Sequence, residues 1–128
     1  MRILLDTHVL LWALGEPRKL SARTRERLED PESEVLFSAA SIWEVSIKSS
    51  IGRVAFSAKP GEIASAAASS GFTELPVRAD AAALVADLPL HHRDPFDRLL
   101  IAQAISEPAK LCTVDRALSR YADLVDLI

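Results

Sequence analysis

Ile3-Leu4-Leu5-Asp6-Thr7-His8-Val9-Leu10-Leu11-Trp12 opens the chain, and its reading decides the fold. Three apolar residues cut off by an acid mark a short strand buried on both faces, with a carboxylate at its C-terminal end. Val9 to Leu14 then read as a short apolar helix, ended near Gly15 and Pro17. The same grammar recurs downstream. Val35-Leu36-Phe37 is a second buried strand, followed by a helix from about Ala39 or Ile42 to Ile51 with Gly52 as its stop. Leu111-Cys112-Thr113-Val114 is a further strand ending at Asp115, before a short helix over Arg116 to Tyr121 and a terminal strand near Leu124 to Leu127. Between these, Ser21 caps a charged helix running to about Glu29, and Pro60 opens a helix that Gly71 ends. Phe72 to Leu75 is a short strand, and Arg78 to Asp87 an alanine-rich helix. Asp94-Pro95 opens a strongly apolar helix to about Ser106. Short apolar strands alternating with helices predict an α/β sandwich, with a central parallel sheet of four to five strands flanked by helices.

Composition agrees. At 128 residues the chain is the length of one domain, 1–128, and hides roughly two-thirds of its unfolded surface without staples. Hydrophobic residues make up 49% and charged residues 26%, which excludes a wholly disordered chain. The single cysteine, Cys112, excludes an intramolecular disulfide framework and a multi-cysteine zinc site. No stretch reaches the roughly 18 apolar residues of a membrane span, and Asp6 and His8 interrupt the first apolar run too soon for a signal peptide. The expectation is a cytoplasmic protein without membrane contact. Fifteen basic residues against 18 acids give a net charge of -3, which at face value argues against a general nucleic-acid binder.

The acids stand where this architecture places sites. Ligands of open parallel sheets bind beyond the carboxyl ends of the strands, and helix starts face the same edge. Asp6 and Asp115 end strands, Glu44 lies in the helix after the second strand, and Asp97 lies in the first turn of the helix opened by Asp94. Four converging carboxylates repel one another, and Mg²⁺ or Mn²⁺, which prefer carboxylate oxygen and water, remove the difficulty. Metal-dependent phosphodiester hydrolysis suits such a set best. Each acid also has a structural reading. Ser41-Ile42-Trp43-Glu44 fits a capping box, and Glu44 with Lys48 fits an ordinary i,i+4 pair. Asp94 and Asp97 fit an N-cap and an acid favoured by the helix dipole. Asp115 can cap the helix at Arg116, and Asp6 the helix at Thr7 to Val9.

Four segments resemble PIN-domain ribonucleases, and more narrowly the VapC toxins of prokaryotic toxin–antitoxin pairs. They are Leu4 to Trp12, Ser38 to Lys48, His92 to Ala104 (with Asp94-Pro95-Phe96-Asp97-Arg98 at its heart) and Thr113-Val114-Asp115, in the family's order over Ile3 to Ile128. The resemblance implies a PIN-like α/β/α fold and cleavage of single-stranded RNA by a metal-activated water, leaving a 5′-phosphate and a 3′-hydroxyl. It implies that Asp6, Glu44 and Asp97 are the central metal-facing carboxylates and that Asp115 completes the pocket. Under the same resemblance Asp94 ranks as an N-cap first and a metal accessory second, and Thr7 and Thr113 are expected to hydrogen-bond the acids or the metal's waters. It also implies a homodimer and a small VapB-like antitoxin whose C-terminal segment occupies the groove. Apolar helices over Val9–Trp12 and Trp43–Ile51 offer surface for such contacts, or for core packing.

Two other readings compete. A catalytically silent PIN-like module that binds RNA or protein would not need all four acids. A phosphatase with an aspartyl nucleophile at Asp6 would want a second acid at position 8, where His8 stands. Among the remaining residues, His8 reads as an interior or helix-start histidine, and His91 and His92 as members of a solvated loop before Asp94 ahead of the alternative, contact with RNA. Trp12 and Trp43 read as core or interface rather than base-stacking platforms, and Cys112 as a small buried hydrophobe. Arg18, Lys19, Arg23, Arg25 and Arg27 form either a phosphate-holding rim or a solvated helix face. Arg93, Arg98 and Arg116 flank motif acids and are candidates for RNA phosphates or for the acids of an inhibitory partner. Setting the four pocket acids aside leaves one fewer acid than the 15 bases, so the net charge does not bear on RNA binding.

Overall fold

The computed structural model describes residues 1–50 and 59–128. Five strands form one parallel sheet: β1 (Arg2–Leu5), β2 (Glu34–Ser38), β3 (Thr73–Leu75), β4 (Lys110–Thr113) and β5 (Val125–Leu127). Their spatial order is β3-β2-β1-β4-β5. Leu4 is the centre of the register, opposite Leu36 on one side and Leu111 on the other. Among the described residues six α-helices accompany the sheet: α1 (Thr7–Gly15), α2 (Ala22–Glu29), α3 (Ala39–Ser50), α4 (Pro60–Ser69), α5 (Ala79–Leu84) and α6 (Pro95–Ser106).

Alternation along the strands divides the core in two. Ile3, Leu5, Val35, Phe37 and Cys112 pack with Val9 and Leu10 of α1, Val45 of α3, and Ile63 and Ala67 of α4. Leu4, Leu36, Leu75 and Leu111 point the other way, onto Leu100, Ile101 and Ala104 of α6 and onto Leu118 and Tyr121. Strands buried on both faces explain why the sequence shows unbroken apolar triplets instead of alternation. The result is the expected α/β/α sandwich, at the upper end of the expected strand number.

The differences from expectation lie at element ends. Helix α1 starts two residues early, at Thr7, because Asp6 caps it. Helix α5 is short and runs into a 3-10 turn, Val85–Asp87, and the segment Arg116–Leu124 is itself 3-10. The stop expected at Gly52 lies outside the described residues. Gly71 does end its helix: at φ +87° its amide reaches the Ala68 carbonyl and Phe72 N–H reaches that of Ala67, which turns the chain into β3. No helix among the described residues is long and apolar enough to cross a membrane.

Strand order sets the position of the site. From β1 the chain moves outward through β2 and β3, then returns to the opposite side of β1 for β4 and β5. The switch point therefore lies between the carboxyl ends of β1 and β4, where a crevice opens between diverging connections. Asp6 and Thr113 are the residues that stand there.

Candidate metal centre

Asp6 follows the last residue of β1 and is only 6% exposed. Its Oδ1 accepts from the Val9 amide at 2.8 Å, and its Oδ2 accepts from the Thr113 hydroxyl. Burial pushes this carboxyl up from its ordinary range; the Thr113 and Val9 donors pull it back, and the charge of Glu44 pushes it up again. The Thr113 hydroxyl oxygen in turn accepts from the Asp115 amide at 3.0 Å, so the ends of β1 and β4 are tied through one side chain.

Glu44, also 6% exposed, projects from α3 toward the same edge. Thr7 donates to its Oε1 at 2.6 Å and lies 2.9 Å from the Ser41 hydroxyl. Lys48 holds Oε2 at 2.5 Å, so the predicted i,i+4 pair forms, but around a buried carboxylate. The predicted capping box does not. Ser41 already lies inside α3, and Ser38 supports the helix start instead: its oxygen accepts from the Ala40 amide at 3.0 Å. Ser38 also donates to Gln103 Oε1 at 2.6 Å, and Gln103 Nε2 reaches the Pro76 carbonyl at 3.3 Å. This buried relay couples β2, α6 and the end of β3.

Asp94 caps α6, its Oδ1 accepting from the amides of Phe96 (2.8 Å) and Asp97 (3.2 Å), with Pro95 pre-set as the first helical residue. Asp97 then projects from the first turn with 21% of its side chain exposed. Its carboxyl is pushed up to about 6, first by burial and then by Asp94, with Glu44 adding to the rise and His92 opposing it. His92 Nε2 lies 2.8 Å from Asp97 Oδ2 and 4.0 Å from Asp115 Oδ2. Asp115 is more open, with Oδ1 accepting from the Ala117 amide at 2.9 Å.

At this edge Thr113 joins Asp6 to the Asp115 amide, His92 faces Asp97 and Asp115, and the charge of Glu44 acts on both Asp6 and Asp97, but among the described residues Asp6, Glu44 and Asp115 are not in the set of donors close enough to share one ion. Donor atoms of His92, Asp94 and Asp97 all lie within 4.8 Å of one another, close enough to share one ion. Hard oxygen donors with carboxyls held above their ordinary range fit a divalent cation, which relieves both burial and mutual repulsion.

His92 is the residue that the reading of the sequence missed. It is not a member of a solvated loop: its ring is 20% exposed and faces two motif acids. The spacing of five residues from His92 to Asp97, across a helix cap, was the available signal. His8 is exposed on the first turn of α1, not interior. Trp43 is 58% exposed rather than core, with its ring edge-on to Phe96 at 5.3 Å. Trp12 packs against the core as expected, under Lys19 at 5.6 Å. Cys112 is buried. Arg93 and Arg116 are exposed, whereas Arg98 donates to the carbonyls of Val85 (2.9 Å), Pro89 (3.2 Å) and His92 (3.4 Å). Its guanidinium holds the chain's own loop, so it is set aside as an RNA contact. The basic run on α2 faces elsewhere. Arg25 lines a cleft of about 580 Å³ with Ser33, Val35 and Gly71 at the amino edge of the sheet, and Arg27 pairs with Asp126.

Comparison with known proteins places the fold. No curated protein matches the chain. Among solved structures, a chain of VapBC2 from Rickettsia felis, bound to a promoter DNA fragment, is similar at 19% identity and a TM-score of 0.71, covering 98% of this chain and 96% of that one. A chain of VapBC-5 from Mycobacterium tuberculosis is similar at 20% identity and 0.60, covering 99% and 97%. A chain of FitAcB from Neisseria gonorrhoeae is similar at 20% and 0.59, covering 98% and 96%. At such identities the likeness is one of fold. The family model of the PIN domain matches residues 3–124, the span that runs from β1 through every acid of the pocket, and the chain belongs to that family.

Proposed function

We propose that the chain is a single-domain, metal-dependent endoribonuclease and the toxin of a toxin–antitoxin pair. The observation that carries this reading is the placement of Asp6 and Asp97 at one sheet edge, where burial first and then neighbouring carboxylates, Glu44 among them in both cases, hold the two carboxyls above their ordinary range. Asp6, Glu44, Asp97 and Asp115 would hold Mg²⁺ or Mn²⁺, with Asp94 as accessory. The bound ion supplies an acidified water and charge neutralisation at phosphorus. The chain's own groups do the rest. Thr113 and the Val9 amide fix both oxygens of Asp6, and Thr7 with Lys48 fixes both oxygens of Glu44. Arg93 and Arg116, exposed beside Asp94 and Asp115, are placed to meet backbone phosphates. Similarity to chains solved in toxin–antitoxin complexes supports a small VapB-like antitoxin as partner, and the proposal extends to a homodimer that works in the cytoplasm.

The test is to incubate the purified protein with total RNA and Mg²⁺ or Mn²⁺, beside Asp6→Asn and EDTA controls, and to sequence the cut ends. Cleavage leaving 5′-phosphates, lost in both controls, is the expected result. Cleavage that survives both controls refutes the metal–carboxylate mechanism, and no cleavage where metal binds favours a silent binding module.

A further inference from the structure

We propose that His92 is a direct ligand of the metal in this pocket and that its imidazole gives the site a preference for Mn²⁺ over Mg²⁺. The inference rests on reading the pocket as a divalent-metal site.

Three features carry it. The first is position. His92 Nε2 stands 2.8 Å from Asp97 Oδ2, and both atoms lie within 4.8 Å of an Asp94 oxygen. Two ligands at right angles on an octahedral ion, each about 2.1 Å from it, are separated by about 3.0 Å. The His92–Asp97 contact is a hydrogen bond in the metal-free protein; an ion replacing its proton needs only a slightly wider span, and Asp115 Oδ2 at 4.0 Å from the same nitrogen borders the same space.

The second is the way the loop is held. Arg98 reaches back from α6 to three carbonyls, those of Val85, Pro89 and His92 itself. Tyr121 donates to the Pro89 carbonyl at 2.9 Å, and its ring meets the His91 ring edge-on at 5.2 Å. A guanidinium and a tyrosine hydroxyl therefore anchor a loop with little secondary structure, and the anchored atoms end at His92. A solvated loop needs no such fixing, whereas a ligand set does, because first ligands are oriented by the groups around them.

The third is chemistry. Imidazole nitrogen is a softer donor than carboxylate oxygen and suits transition ions, while Mg²⁺ keeps to oxygen and gives up water reluctantly. One nitrogen in an otherwise oxygen set shifts the balance toward Mn²⁺ without excluding Mg²⁺.

The test uses electron spin-echo spectroscopy of the full chain loaded with Mn²⁺, together with calorimetric binding of Mn²⁺ and Mg²⁺ to wild type, His92→Gln and Asp6→Asn. Gln keeps a hydrogen-bonding amide for Asp97 but removes the ring nitrogen. Nitrogen modulation from a coordinated imidazole is expected in the wild type and lost in His92→Gln. Mn²⁺ affinity is expected to fall by about tenfold or more in that variant, with Mg²⁺ affinity changed by less than about twofold. Absence of nitrogen modulation in the wild-type Mn²⁺ complex overturns the proposal without any variant. Equal weakening for both ions also overturns it, since a histidine that merely positions Asp97 acts on both alike. Asp6→Asn separates the two readings: if it leaves both affinities unchanged, Asp6 is no ligand and the four-carboxylate reading fails, while nitrogen modulation still decides on His92.

Discussion

Replacing Asp97 with Asn should stabilise the metal-free protein near neutral pH. Burial first, and then the charges of Asp94 and Glu44, raise the Asp97 carboxyl in the first turn of α6 from an ordinary 3.8 to about 6. That difference corresponds to about 3 kcal/mol of unfavourable charge burial. With a fifth of the side chain exposed, about 1–3 kcal/mol should be recoverable. The folded state holds the proton more tightly than the unfolded chain. Below pH 3.8 both states are protonated and the penalty is absent; between 3.8 and about 6 folding stability falls as pH rises; above 6 the full penalty remains. Asn carries no charge and keeps a hydrogen-bonding group for His92. Urea unfolding in EDTA, repeated from pH 4 to 8, should show the advantage of Asp97→Asn growing from near zero to its plateau above neutrality. Added Mn²⁺ should narrow the gap by stabilising the wild type alone. A stability difference that is independent of pH, or a variant less stable than wild type at pH 7.5, would refute the charge-burial argument.

Other perturbations address the supports. Asp6→Ala should lose about 1–2 kcal/mol, because it removes the cap of α1 and strips the buried Thr113 hydroxyl of its acceptor, while Asp6→Asn keeps most of the stability; thermal melts of the pair check this. Arg98→Met should cost about 1–3 kcal/mol and weaken metal binding, because three carbonyls lose a donor and the His92 loop loses its anchor; Arg98→Lys should not restore binding, since an ammonium cannot span the three acceptors. Cys112, buried and with its thiol pushed up to about 12, first by burial and then by Asp126 and Asp6, should react with thiol reagents only as fast as the protein unfolds. Alkylation rates at pH 7 to 9 with and without urea measure this.

The fold was legible because both faces of the sheet are covered. Apolar triplets such as Ile3-Leu4-Leu5 admit few readings once helices alternate with them, and Gly71 and Pro60 punctuate the chain as their backbones require. Helix ends were less legible. Thr7 and His8 are poor helix formers, and only the Asp6 cap draws them into α1. The positions of the acids followed from topology, since strand ends and helix starts share an edge. His92 and Arg98 were obscured for a common reason. Their roles are set by contacts across a loop, between residues 85 and 98, that no periodicity encodes. Of the two readings of Trp43, core or interface, its exposure removes the first, because an apolar face on α3 resembles any core-facing stripe and burial depends on which neighbours the fold supplies.

The choice between cap and site for these acids dissolves once their two oxygens are counted separately. Asp6, Asp94 and Asp115 each direct Oδ1 to a backbone amide at the start of a helical segment, those of Val9, Phe96 and Ala117. At Asp6 and Asp115 the second oxygen turns to the shared edge, toward Thr113 in one case and His92 in the other. Capping holds each carboxylate in place with its own helix, and the positive end of that helix lowers the cost of crowding acids together. A parallel sheet gathers those helix starts on one side, so the devices that end strands and start helices also build the pocket. Glu44 has no such support. It sits within α3 and is held by Thr7 and Lys48 instead, so a lysine ammonium takes the place that a backbone amide has at Asp6, Asp94 and Asp115. The consequence is testable by chemistry rather than position. Asn at 6, 94 or 115 keeps the amide-accepting oxygen and should preserve the fold while weakening metal binding, whereas Ala should damage both. Gln at 44 should likewise keep the Thr7 hydrogen bond yet lose the attraction of Lys48.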